Sequence, residues 1–187
     1  MRLLFTLTDF GDAALLLPLA LAVLCWLAWR SWYLAGWWSV SVALCIGLTS
    51  LCKIYFYGCP PASDMRSPSG HTAFSVLVYG ALALIVATPS GGMRRAAPLG
   101  VGAALIMAIA VSRLVLSIHS LPEIVLGFVI GAASLGLFAQ KYVCWPQRQV
   151  WRLVMAAALL ITLLHGQQLH AEGLLHWITG HLPLYCR

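Results

Sequence analysis

Two stretches of the sequence concentrate the side chains that could do chemistry. The first runs from Lys53 to His71 and contains Arg66, Ser69 and Gly70; the second runs from Ser112 to Glu123 and contains Arg113 and His119. Lys53, Arg66 and Arg113 supply positive charge, and the arginine fork suits two phosphoryl oxygens at once. Ser69 and Gly70 stand where a helix is expected to begin, so free backbone N–H groups would point at the same anion. His71 and His119 can divide the roles of nucleophile and general acid. Glu123 follows His119 by one helical turn, from where a carboxylate can hold one imidazole nitrogen and leave the other free to attack. These residue types point to phosphoryl transfer, and neither a metal nor another cofactor is expected.

Plainer readings of the same residues stay open. Ser120-Leu121-Pro122-Glu123 is also a capping box with proline in the first turn, a role compatible with orienting His119. Lys53 and Arg66 could snorkel from helix ends, and Asp64 could pair with Arg66. His165, His170, His176 and His181 have no metal-site spacing and read as interfacial polar residues.

The elements that must hold the two stretches are membrane helices. Of the 187 residues, 61% are hydrophobic and 9% charged, against about a quarter charged in ordinary soluble domains. That balance excludes a soluble globular domain, disorder, collagen, coiled coil and a disulfide-rich secreted scaffold. The net charge of +6 comes from Lys and Arg scattered singly or in pairs at the ends of apolar runs, which argues against a nucleic-acid surface. Six runs, 13–29, 38–57, 71–88, 98–118, 122–140 and 152–169, are long enough to cross a hydrocarbon core of about 30 Å. The expectation is one all-α integral membrane domain over 1–187, with six transmembrane helices, short loops and an interfacial tail over about 170–187. The first run is expected to be a retained helix, because its leader holds Asp9 and Asp12 rather than a basic cluster.

Six spans would put both catalytic stretches, about 53–71 and 112–123, on one membrane face. The other face carries Arg30, Arg94, Arg95, Lys141, Arg148 and Arg152. With the site residues Lys53, Arg66 and Arg113 set aside, the positive-inside rule makes that other face cytoplasmic. Trp26, Trp29, Trp32, Trp37, Trp38, Trp145 and Trp151 gather there as an interfacial belt would. Cys59 and Cys186 then share the oxidising side and are a candidate disulfide, while Cys25 and Cys45 read as core residues.

At these residues the sequence resembles the type-2 phosphatidic acid phosphatases, relatives of the vanadium haloperoxidases. The family pattern is K-x6-R-P, then P-S-G-H, then S-R-x5-H-x3-D. Pro68-Ser69-Gly70-His71 matches the second motif, and Ser112-Arg113 with His119 matches the third, with Glu123 at its Asp. Lys53 and Pro61 fit the first motif, but Pro60 occupies its Arg, and Arg66 is the suggested replacement.

The resemblance implies a four-helix catalytic core around residues 53–123. His119 would attack phosphorus and form a phosphohistidine, oriented by Glu123. His71 would protonate the leaving oxygen and then activate water. Lys53, Arg66, Ser69, Gly70 and Arg113 would hold the phosphoryl oxygens. The implied protein is a metal-independent lipid phosphatase of the bacterial inner (cytoplasmic) membrane, with its site facing the periplasm or exterior. Its partners would be the bilayer and a lipid phosphate or diphosphate. Undecaprenyl diphosphate is preferred over phosphatidic acid, phosphatidylglycerophosphate and lipid A phosphates. A phosphotransferase using the same histidine, or a non-catalytic lipid-phosphate binding or transport protein, are the alternatives; oligomeric state is left open.

Overall fold

The computed structural model describes residues 2–59, 65, 67–88, 93–143 and 147–169. They form seven helices: α1 Arg2–Asp9, α2 Ala13–Ala28, α3 Trp32–Gly58, α4 Gly70–Ala87, α5 Met93–Val115, α6 Leu121–Ala139 and α7 Gln147–Leu164. No strand occurs among the described residues, in line with the all-α expectation. Within a bilayer only helices or closed barrels satisfy their own backbone groups.

Five stretches are long and apolar enough to cross a membrane: Leu4–Ala28, Trp32–Gly58, Gly70–Ala87, Arg94–Val115 and Leu121–Ala139. The sixth expected span, 152–169, corresponds to α7, whose apolar part Gln149–Leu164 is shorter. That helix stops because the chain turns at Gly166, with φ at 87°. The segment ahead of the first expected span is itself helical. It is α1, which packs against α5. The expected interfacial tail, 170–187, lies outside the described residues.

The helices begin where short polar side chains can cap them. Asp12 accepts from the Ala14 N–H at 2.8 Å to start α2, Ser31 from Leu34 to start α3, and Ser69 from Thr72 to start α4. α4 is the central helix, with every residue from Thr72 to Tyr79 buried, the all-round burial expected of an element surrounded by others. It packs chiefly against α5 and α6, and also meets α2 and α3.

Close approach of α6 rests on Gly127 and Gly131, a small-xxx-small pair. A Cβ on Gly131 would lie 2.3 Å from the Ala73 carbonyl oxygen of α4. Apolar side chains gain little on leaving lipid for protein, so such tight backbone contact and interhelical hydrogen bonds hold a membrane bundle together.

The tryptophan belt needs correction. Trp29 and Trp32 are exposed, at 90% and 82%, but Trp26 and Trp38 are buried. Trp38 donates from Nε1 to the Ala20 carbonyl at 2.9 Å and meets Phe138 edge-on. Trp26 donates to the Gln149 carbonyl of α7 at 3.1 Å, and Arg30 covers its ring while donating from Nε to Gln149 Oε1 at 2.9 Å. An indole placed inside a bundle has to find a hydrogen-bond partner, and both of these do. Cys25 is likewise exposed rather than in the core, whereas Cys45 is buried.

Candidate active site

The second candidate stretch is shaped by the way α5 ends. Ser117 takes the left-handed conformation, with φ at 55°. Around it the Ile118 N–H bonds the Arg113 carbonyl at 3.1 Å and the Ser117 N–H bonds the Leu114 carbonyl at 3.0 Å. This is a Schellman turn, with serine where glycine is usual. The His119 N–H also reaches the Arg113 carbonyl, at 3.3 Å. One turn therefore ties His119 to the backbone of Arg113 on α5, which gives the five-residue spacing of S-R-x5-H a physical cause. A left-handed non-glycine residue costs on the order of 1–3 kcal/mol and tends to occur at functional sites.

Glu123, on the first turn of α6, joins the two stretches. Its Oε2 lies 2.9 Å from His119 Nδ1 and accepts from the Ser120 N–H at 3.0 Å. Its Oε1 accepts from the Ser67 N–H at 2.9 Å, and its backbone carbonyl accepts from the Ser69 N–H at 3.0 Å. One carboxylate oxygen thus meets both the Ser120 N–H, as the glutamate half of a capping box, and the His119 ring. An ionised carboxylate can only accept, so Nδ1 carries the proton and Nε2 keeps its lone pair. Burial pushes the His119 imidazole below its ordinary range, the hydrogen bond to Glu123 opposes this, and the positive charge of Arg113 adds to it.

The segment 67–69 ahead of α4, the expected phosphate loop, presses directly on α6. A Cβ on Gly127 would lie 2.5 Å from the Ser69 carbonyl oxygen, so glycine is what lets the loop lie there. Ser69 is fully buried and caps α4, and the Lys53 ammonium comes within 3.9 Å of where a Cβ on Gly70 would stand. Lys53 and Arg113 are both buried, and their charges bear on both imidazoles.

Lys53, Gly70 and His71 also line a cavity of about 220 Å³ between α2, α3 and α4. Its other walls include Ala13, Leu17, Cys45, Ile46 and Phe74, and Leu17 and Ile46 are exposed on the outside of the bundle. Of the expected phosphate ligands, Arg66 lies outside the described residues, as do Pro60, Pro61 and Asp64. Cys59 is disulfide-bonded; Cys186, its expected partner, lies outside the described residues. No group of three His, Cys, Asp or Glu side chains that could hold a metal occurs among the described residues.

One residue near the site was missed in the sequence. Asp12, in the turn between α1 and α2, brings Oδ2 to 3.7 Å from His71 Nε2. Nothing in the motif spacing could have found it, because Asp12 precedes His71 by more than two helices.

Comparison with known proteins agrees with this geometry. A family model described as the PAP2 superfamily matches residues 42–149, more than half of the chain. A Klebsiella pneumoniae protein described as an uncharacterized 22.5 kDa protein in the cps region is 35% identical over 135 residues, which cover 69% of this chain. The chain spans 64% of the length of that relative. No solved structure matches. With the motif residues gathered around Glu123 and the family model covering both candidate stretches, the chain belongs to the PAP2 superfamily.

Proposed function

We propose that this protein is a membrane lipid phosphatase that hydrolyses a lipid phosphate or diphosphate through a phosphohistidine on His119. The observation that carries the reading is the Glu123 carboxylate, which holds Nδ1 of a buried His119 at 2.9 Å while tying down the phosphate loop through Ser67. The His119 Nε2 lone pair forms the N–P bond as the P–O bond to the lipid breaks. Protonated His71 gives its proton to the departing oxygen. Water then attacks phosphorus, His71 takes a proton from it, and the N–P bond breaks to release phosphate. Glu123 stabilises the positive charge that His119 carries as the phosphohistidine forms. Lys53, Arg113, the N–H groups at the start of α4 and Arg66 neutralise the phosphoryl oxygens.

The cavity favours a lipid over a soluble ester. It is apolar toward Leu17 and Ile46 and ends at Lys53 and His71, so a hydrocarbon chain can stay in the bilayer while its headgroup meets the cationic residues. From the positive-inside reading, the headgroup would be on the periplasmic or outer face. A polyprenyl diphosphate and a phosphatidic acid both satisfy this chemistry.

The test is phosphate release from a panel of lipid phosphates by purified protein in detergent with EDTA, comparing wild type with His119→Ala and His71→Ala. Release by wild type alone is expected, with a base-stable, acid-labile phosphoenzyme trapped in wild type and absent from His119→Ala. Equal release by all three proteins would refute the reading.

A further inference from the structure

The α1–α2 turn lies well ahead of the region matched by the family model, which begins at residue 42, yet it is packed into the site. Gly11 leaves no room for a side chain there: a Cβ would come 2.8 Å from Ile109 Cγ2 and 3.2 Å from His71 Cδ2. Thr8, one turn earlier, is buried against α5, where its hydroxyl meets Ser112 Oγ at 3.1 Å and Arg113 Nη1 at 3.5 Å. Asp12 follows, almost fully buried, with Oδ2 facing His71 Nε2 at 3.7 Å.

We propose that Asp12 is the positioning residue of His71, a second carboxylate–histidine pair that the N-terminal turn adds to the His119–Glu123 pair. This rests on the phosphatase reading above, in which His71 is the general acid.

The physical case begins with charge. To give a proton to the leaving oxygen, His71 must first hold one, and burial beside the cations Arg113 and Lys53 disfavours an imidazolium at that place. A buried carboxylate at ion-pair distance offsets them, and its attraction is larger than it would be in water. Separations in the unliganded site are commonly longer than those reached with substrate bound, so 3.7 Å is close enough for the pair to tighten.

Geometry supplies the rest. The Asp12 carboxylate is not free to swing, because Oδ1 accepts from the Ala14 N–H at 2.8 Å and from the Leu169 N–H at 2.9 Å. The segment after α7 that supplies Leu169 is itself tied to the N-terminal turn. Gln168 Nε2 donates to Asp9 Oδ1 at 3.1 Å, and the His165 ring packs on Phe10. Both ends of the described chain thus converge to hold Oδ1, which leaves Oδ2 facing His71.

The test separates a role in proton transfer from a role in folding. Asparagine caps a helix as well as aspartate does, so Asp12→Asn keeps the bonds to Ala14 and Leu169 and removes the charge. The quantity to measure is kcat/KM, which reports the steps up to expulsion of the leaving group and not the later attack of water. Two substrates are compared: dioleoyl phosphatidic acid, whose alkoxide must be protonated as it leaves, and 4-nitrophenyl phosphate, whose phenolate need not be.

Asp12→Asn is expected to lose about 10–100-fold on the alkyl ester, part of the 10²–10⁴-fold that general acid catalysis supplies. It is expected to lose less than about threefold on the aryl ester. In a His71→Ala background the same substitution is expected to add almost no further loss, as coupled residues do. Equal losses on the two esters, no loss on either, or full additivity with His71→Ala would overturn the assignment while leaving the phosphatase reading intact. Failure of wild type to release phosphate from these esters and from every member of the lipid panel above would instead remove the phosphatase reading and this proposal with it.

Discussion

Glu123 stands where the family pattern has aspartate, and its extra methylene has a use. From the first turn of α6 its carboxylate spans two partners on different segments, His119 Nδ1 and the Ser67 N–H, at 2.9 Å each. An aspartate would be shorter by about 1.5 Å, one carbon–carbon bond, and could not keep both on this backbone. Glu123→Asp, although it makes the motif regular, is therefore expected to lower kcat about 100-fold, the cost of roughly 1 Å of misplacement. Phosphate release in detergent checks this. Activity equal to wild type would mean that the link to Ser67 is idle.

The pH dependence follows from the same pair. In the proposed mechanism His119 attacks as the neutral imidazole, and burial holds it below its ordinary range. The acid limb of kcat/KM should then lie below about 6.5, the ordinary histidine value, after correction for the substrate's own phosphate ionisation. Glu123 is the group that favours protonation, so Glu123→Gln should move that limb to still lower pH while reducing the rate.

At the scale of elements, α6 carries the phosphate loop on a glycine. Gly127 faces the Ser69 carbonyl, where a Cβ would stand 2.5 Å away, whereas Gly136 on the same helix has nothing within 4 Å of its Cβ position. The two make a paired test. Gly127→Ala should destabilise by about 1–3 kcal/mol through overpacking and reduce phosphate release at least tenfold by displacing Ser69. Gly136→Ala should leave activity unchanged and stabilise slightly, since alanine is favoured over glycine within a helix by about 1 kcal/mol. Thermal unfolding in detergent and turnover, measured together, decide it. Similar behaviour of the two variants would show that loop position does not depend on this contact.

For the whole molecule, the charges predict an orientation. The face carrying Arg30, Arg94, Arg95 and Lys141 is expected to be cytoplasmic by the positive-inside rule, and the face with Ser117, His119 and the phosphate loop periplasmic. An impermeant thiol reagent applied to intact spheroplasts should label Ser117→Cys above the background of the native cysteines and leave Arg95→Cys unlabelled. Both positions are exposed. The opposite pattern would place the site, and the headgroup it acts on, at the inner leaflet.

The sequence alone determined the family and the helical, membrane-spanning class. Both are written in local order: apolar runs of bilayer length mark helices, and S-R-x5-H-x3-E is a helix end, a turn and a helix start whose hydrogen bonds close within a few residues. Local order also explains what went astray. Trp26 and Trp38 read as belt residues because composition marks a boundary without saying which helix face meets lipid, and the run 152–169 reads as continuing past Leu164, where α7 ends, because an apolar run does not reveal the turn at Gly166. Only the tertiary structure decided what crosses between distant segments. It brought Glu123 to Ser67, Gly127 to Ser69, and Asp12 to His71 with Leu169 behind it. Those contacts depend on how helices cross. A crossing is fixed by the sum of many weak packing terms between small residues, and no spacing along a single chain records it.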